Sequence, residues 1–275
     1  MTSLLQSARL DISESLRARW YLIYVLVFGG LIATLFAFGL TESRVMGFTG
    51  LSRLLLTYIQ LSMAILPVFV LITTVRSLAG DRETGVFEYM LSFPVPLSAW
   101  YWGRFLGRFL VVVSPVVLAM LLAIAYGAAR GVEVPWTHVI FYTGLLASLV
   151  LCFLGISFFI SSLARSTDIA QGAAFLIWLI LLLFLDLILL GLMIREQLPV
   201  DFIVALALAN PMQVFRTAAM MLFDPQLVLL GPTAYVILDA FGHTGYLIWS
   251  FLYPAVFGGI LAAIGYWRFR STDLV

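Results

Sequence analysis

The chain of 275 residues contains no lysine, and all fifteen of its basic residues are arginine. A phosphate-gripping Walker loop closes on a lysine, and a Schiff-base enzyme needs one as its nucleophile, so the polypeptide is expected to be no P-loop ATPase by itself. Charge of either sign is scarce, at 11% of residues. Cysteine is scarcer still. Cys152 stands alone in an apolar run, which excludes an intrachain disulfide and reads as a small buried hydrophobe. A secretory signal is not expected, because Arg9, Asp11, Glu14, Arg17 and Arg19 crowd the first nineteen residues and leave no apolar core of the required length. The start of the chain is expected to remain cytoplasmic.

Apolar residues dominate instead. They make up 63% of the chain, with a mean hydropathy of +1.09, against roughly 45 to 50% in soluble domains. Such a composition belongs to a polytopic membrane protein. A helix needs about 20 predominantly apolar residues to cross the hydrocarbon core, and six runs qualify: 20–40, 54–75, 105–126, 138–163, 170–194 and 246–267. The fold expected is therefore an all-α membrane protein in which 1–275 forms a single transmembrane domain, both termini on one side. Ten arginines fall with the termini and the second and fourth connections, and Arg44, Arg53, Arg130, Arg195 and Arg216 fall opposite. The positive-inside rule then places both termini in the cytoplasm, in a bacterial inner membrane.

Two flanking regions are predicted to be helical without spanning. Residues 3–19 set Leu5, Ile12 and Leu16 near one stripe and Arg9, Glu14 and Arg17 elsewhere, the pattern of an amphipathic helix lying on the cytoplasmic surface. The connection 195–245 carries only six charges over about fifty residues, too apolar for an exposed loop. Within it Asn210 and Pro211 make an N-cap and N1 pair for a helix running to about Phe223, after a shorter helix over 200–209. These pieces are expected to be re-entrant or interfacial and packed on the outer rim.

The most informative stretch is the polar interruption from Arg76 to Arg108, which gathers seven charges, two prolines and four glycines between long apolar runs. A break at Gly80 is predicted, followed by a short helix across the cytoplasmic face in which Asp81 and Glu83 suit the positive N-terminal end. Phe87 and Tyr89 flank Glu88, an aromatic anchor beside charge, and Pro94 and Pro96 close the helix. The bland alternative is a membrane-surface loop without a partner.

The run Gly80, Asp81, Arg82, Glu83, Thr84, Gly85, then Phe87, Glu88, Leu91, Ser92, Pro94, Pro96 and Gly103 resembles the coupling-helix segment of ABC-2 type ABC transporter permeases. The six-span layout, the N-terminal surface helix and the helical connection before the last span are similar to that family over nearly the whole chain. Arg104 stands where many of these permeases carry lysine. Arg17, Arg19 and Trp20, the leucine run 185–190 around Asp186, and Asn210, Pro211, Phe215 and Arg216 resemble the permease of the Nos transporter for nitrous oxide reductase maturation.

The resemblance implies a homodimer served by two copies of a cytoplasmic ABC ATPase, with a periplasmic partner protein and membrane lipid around it, and no nucleic acid. ATP and magnesium would sit on the partner, with no cofactor and no catalytic residue in this chain. It implies ATPase coupling through Asp81, Arg82, Glu83, Gly85, Phe87, Glu88 and Tyr89, and support for assembly of the reductase's copper-sulfur centre. An ABC-2 exporter of lipid, glycan or drug would share these cytoplasmic features, and a non-transporting membrane scaffold is a further alternative.

Asp186 alone among the fourteen acidic residues lies well inside a span. Placing an isolated carboxylate there costs at least about 2.5 to 3.5 kcal/mol, so it either lines a central cavity between two copies or takes a structural hydrogen bond within one. Met193, Met212, Met220, Met221 and His243 cluster on the expected outer side, and thioether sulfur suits Cu(I), but no pair has ligand spacing and methionine commonly fills gaps in apolar helices. No metal site is therefore assigned. Ser157 follows Gly155 and Ile156, yet His138 and His243 sit near the opposite rim, beyond reach as a base, so Gly155 and Ser157, like Gly103 and Gly107, read as helix-packing residues. If Asp186 acts through its charge, Asp186→Asn lowers reductase maturation in cells as far as Asp186→Leu does. Normal maturation with the asparagine variant would refute a charge-dependent role.

Overall fold

Lipid offers no partner to a bare amide, so a chain this apolar must satisfy its backbone internally, and helices do so within one segment. The computed structural model describes residues 2–37, 50–86, 95–131, 133–184, 191, 200–223 and 232–272, and among these every regular element is helical. In chain order they are α1 (Thr2–Arg17), α2 (Arg19–Ala37), α3 (Gly50–Glu83), α4 (Leu97–Ala129), α5 (Trp136–Leu163), α6 (Thr167–Leu179), α7 (Val200–Ala209), α8 (Pro211–Phe223) and α9 (Pro232–Thr272). A wide π-type turn, Ile180–Phe184, continues α6, and Gly242 breaks α9 with φ 65°.

Among the described residues, four helical segments are long and apolar enough to cross a membrane: Leu54–Glu83, Leu97–Ala129, Trp136–Leu163 and Phe241–Ser271. The pair α1 and α2, bent by 72°, makes a fifth if taken as one span. Of the fifth expected span, 170–194, the described part is a shorter apolar helix, Thr167–Leu183, and most of the remainder lies outside the described residues.

Between apolar helices in lipid there is little hydrophobic drive, so association depends on close packing and on polar bonds between helices. Both are present. A Cβ added to Gly155 of α5 would lie 2.0 Å from the Gly258 carbonyl oxygen of α9, and one added to Gly258 would lie 2.3 Å from the Leu151 carbonyl oxygen. The two backbones touch, and α5 with α9 forms the largest helix contact of the fold. Ser157 hydrogen-bonds back to the Phe153 carbonyl at 2.7 Å, so it packs as a satisfied buried hydroxyl. Tyrosines supply the polar part. Tyr24 and Tyr58 donate to the Val112 and Val116 carbonyls of α4 at 2.9 and 2.8 Å, Tyr101 to Ala262 of α9 at 2.8 Å, and Tyr142 to Ala219 of α8 at 3.2 Å. Pro115 inside α4 has no N–H for the Val111 carbonyl, and the Ser114 hydroxyl donates to that oxygen at 3.1 Å.

The connection before α9 packs closely on the bundle. Asn210 caps α8, its side-chain oxygen accepting from Met212 N at 3.0 Å, while its amide donates at 2.9 Å to the Leu181 carbonyl within the π-type turn. Val214, Phe215, Ala218 and Ala219 of α8 are fully buried among α3, α5 and α9. α8 packs its small and apolar face among the ends of α3, α5 and α9, where Met220 accepts from Gln60, and Tyr142 and Tyr246 donate to the Ala219 and Val214 carbonyls. Replacing Gly155 with alanine should destabilise the chain by about 1–3 kcal/mol, as overpacked cores do. Gly29→Ala, with nothing within 4 Å of the added carbon, should be neutral by comparison in thermal unfolding of the detergent-purified protein.

Candidate functional site

The polar interruption begins in the structure as the end of α3. Helix α3 does not break at Gly80: Thr84 N donates to the Gly80 carbonyl at 3.0 Å, and the chain leaves the helix at Gly85, whose φ is 72°. Only glycine adopts that left-handed conformation without penalty, which is why the stop falls there. Asp81, Arg82 and Glu83 therefore occupy the C-terminal turn of α3, and not the N-terminal turn of a new helix. The position does not require glycine, since a Cβ at Gly80 would meet only Thr167 Cγ2, at 3.5 Å. Phe87, Glu88 and Tyr89 lie outside the described residues.

Consecutive positions on a helix point about 100° apart, so the three charged side chains of this turn reach different neighbours. Asp81 forms a salt bridge with Arg104 of α4. Arg82 donates to the Ser162 carbonyl at the end of α5 at 3.0 Å, and its guanidinium lies 4.9 Å from the ring centroid of Phe269 in α9. A cation there complements the negative end of α5. Glu83 accepts from Thr167 N at 3.1 Å and from Thr167 Oγ1 at 2.8 Å, satisfying an amide at the start of α6. Those bonds, the backbone one foremost, hold the exposed Glu83 carboxyl below its ordinary value, in a position beyond the apolar stretch that ends at Val75. The contact is therefore complete above the ordinary carboxyl range and is lost as pH falls through the lowered value. Below this turn the Ser161 hydroxyl donates to the Val75 carbonyl at 2.6 Å and accepts from Ala79 N at 2.9 Å, joining α5 to the groups that close one turn of α3.

Arg104 is the junction with the N-terminal helix. Its Nη1 also donates to the Ser77 carbonyl at 3.3 Å, its guanidinium lies 4.7 Å from the Trp100 ring centroid, and its Nε lies 3.9 Å from Asp11 Oδ1. Arg108, one turn on, donates from Nη2 to that same Asp11 oxygen at 2.9 Å. Asp11 is 2% exposed, on a helix expected to rest on a membrane surface. Glycine explains its burial. A Cβ on Gly103 would lie 2.6 Å from Ser7 Cβ and one on Gly107 2.7 Å from the Ala8 carbonyl oxygen, so α1 seats directly on the backbone of α4. Leu5, Leu10 and Leu16 remain on the exposed side.

Asp11 was not among the residues expected to matter. The signal available was a second stripe, Ala8, Asp11 and Ser15, opposite the leucines and spaced to match Gly103, Gly107 and their following arginines. A cleft of about 120 Å³ opens beside this junction, lined by Leu10, Asp11, Glu14, Val86, Trp100 and Arg104 among others.

The remaining candidates are dispersed. Asp186 and Met193 lie outside the described residues. Met212 and Met221 are buried in the core, Met220 Sδ accepts from Gln60 Nε2 at 3.0 Å, and His243 is exposed just past the Gly242 break. Among the described residues no group of three or more His, Cys, Asp or Glu side chains is placed to hold a metal ion.

The sequence pattern of the ABC-2 family transporter proteins matches residues 5–274. The chain is 26% identical over 221 residues to a probable ABC transporter permease protein NosY of Stutzerimonas stutzeri, covering 76% of this chain and 78% of the relative. It is 27% identical over 229 residues to the corresponding protein of Pseudomonas aeruginosa, covering 79% and 81%. If Glu83 satisfies the α6 terminus as described, Glu83→Ala at neutral pH should speed hydrogen exchange of the Thr167 amide several-fold. Glu83→Gln, which keeps an acceptor, should fall between the two, as read by exchange mass spectrometry.

Proposed function

The chain belongs to the ABC-2 family of transporter proteins, and from that premise we propose that it is the permease subunit of a Nos-type transporter, driven through the turn at the end of α3. An ABC permease works with an ATPase that burns the fuel. In this reading the active unit is a homodimer with six spans per copy, both termini cytoplasmic, and two ATPase subunits docked beneath. A periplasmic partner receives the output. The work serves assembly of the copper-sulfur centre of nitrous oxide reductase, which the likeness to the two NosY proteins supports.

One observation carries the mechanical part: three successive side chains, Asp81, Arg82 and Glu83, grip α4, α5 with α9, and α6. A push on Gly85 and the residues after it is passed to four helices at once. Coupling of this sort needs contacts that differ between two states of the whole assembly. Asp81, Arg82 and Glu83 act here as the inner half of the joint. Phe87, Glu88 and Tyr89, which follow in the sequence, are the residues proposed to meet the ATPase.

The test is capture. A photo-crosslinker placed at Val86→Cys in a Cys152→Ala background should trap a co-expressed ABC ATPase subunit, and the same group at His243→Cys should not. Glu88→Arg and Glu83→Arg should leave ATP hydrolysis running while reductase maturation drops severalfold. Absence of crosslinking at the elbow, or capture from the His243 side, would overturn the assignment.

A further inference from the structure

The Asp11, Arg104 and Asp81 cluster holds an imbalance that the coupling scheme above does not use. Asp11 Oδ1 is shared by two arginines, whereas Asp11 Oδ2 is buried without a hydrogen-bond partner among the described residues. Buried carboxylate oxygens are rarely left so, since the lost hydration is uncompensated. Arg104 Nε stands 3.9 Å from Asp11, inside ion-pair range and outside hydrogen-bond range. Meanwhile the far end of the same guanidinium is engaged by Asp81 and Ser77.

We propose that Arg104 is an exchangeable tie, held by Asp81 in the state described here and passed to Asp11 when the end of α3 moves away. It is thereby a positioning residue for the elbow in two states. The inference rests on the reading that the elbow moves during the work cycle.

The geometry decides which carboxylate leaves. Asp11 sits on α1, and α1 is locked to α4 by the Gly103 and Gly107 contacts and by the Arg108 bond, so Asp11 and Arg104 travel together. Asp81 belongs to α3, which packs chiefly on α5 and α6 and only slightly on α4. Relative motion therefore separates Asp81 from Arg104 and leaves Asp11 within reach. The Trp100 ring beside the guanidinium allows the transfer, because attraction to a ring face persists as the cation slides over it. Arginine suits the role better than lysine, since its planar fork can hold one carboxylate by Nη1 and present Nε to another. Asp81, at 20% exposed, regains water on release, and Asp11, already bonded by Arg108, gains a second bond for its unpartnered Oδ2.

The experiment reads the guanidinium itself in the full chain, labelled with ¹⁵N at arginine Nε and reconstituted in lipid nanodiscs. The Arg104 resonance is identified by its loss in Arg104→Lys. In Asp81→Asn the Arg104 Nε–H signal should move downfield and its exchange with water should slow severalfold, as the group bonds to Asp11. Adding Asp11→Asn should return the signal to the parent position. Should that double variant fail to fold, the Asp11 carboxyl ¹³C signal in Asp81→Asn alone supplies the answer, by shifting relative to the parent. An unmoved Arg104 signal in Asp81→Asn, a shift that persists without Asp11, or an unmoved Asp11 carboxyl would overturn the proposal. No ATPase is present in the measurement, so failure here leaves docking at the elbow standing, and failure of docking leaves the exchange standing.

Discussion

Helices surrounded by lipid gain little from hiding apolar surface against one another, and this shapes the whole molecule. What remains is contact at backbone distance and hydroxyl groups that find a carbonyl on the next helix. Gly155 against Gly258 provides the first, and the series Tyr24, Tyr58, Tyr101 and Tyr142 the second. Each tyrosine brings a large apolar body and a polar tip, so it fills the space between helices and satisfies itself there. The bundle is specified by where these few groups fall, more than by the many leucines that face outward.

The same economy governs the charged end. With so few ions available, several of those described are used at a helix terminus or across an interface. Arg82 meets the end of α5, Glu83 the beginning of α6, and Asp81 and Asp11 meet arginines of α4 from opposite sides. A buried ion pair adds little net stability compared with an apolar replacement, but it fixes register, and breaking one side of it is costly. This end of the bundle is therefore cross-tied by its charges and sensitive to relative motion, as the proposed coupling role requires.

Much of this was legible in the residues and some was not. The helical membrane class followed from composition, and the resemblance carried by Gly80 to Gly103 reached the family that the sequence match over 5–274 establishes. The cap at Asn210 followed from local chemistry and is as the structure has it. Gly80 misled, because a glycine between polar residues reads as a break when taken alone. The hydrogen bond from Thr84 N and the left-handed backbone of Gly85 show that the helix had one more turn to run. Asp11 misled in the opposite direction. Its surroundings in sequence are those of a solvated surface helix, and its burial depends on Gly103 and Gly107, about ninety residues away, which local pattern cannot bring together.

That separation has a consequence for biosynthesis. Asp11 emerges from the ribosome 97 residues before Arg108, so α1 is made long before its seat on α4 exists. Until the helix bearing Gly103 and Gly107 has been inserted, the amino-terminal segment must wait at the membrane face with its carboxylate hydrated. Its docking then reports that the insertion of α4 is complete. A bulky fusion on Ser7 or Ala8, or a delay in releasing α4, would leave the newborn chain with an open seam where its first and fourth helices should meet.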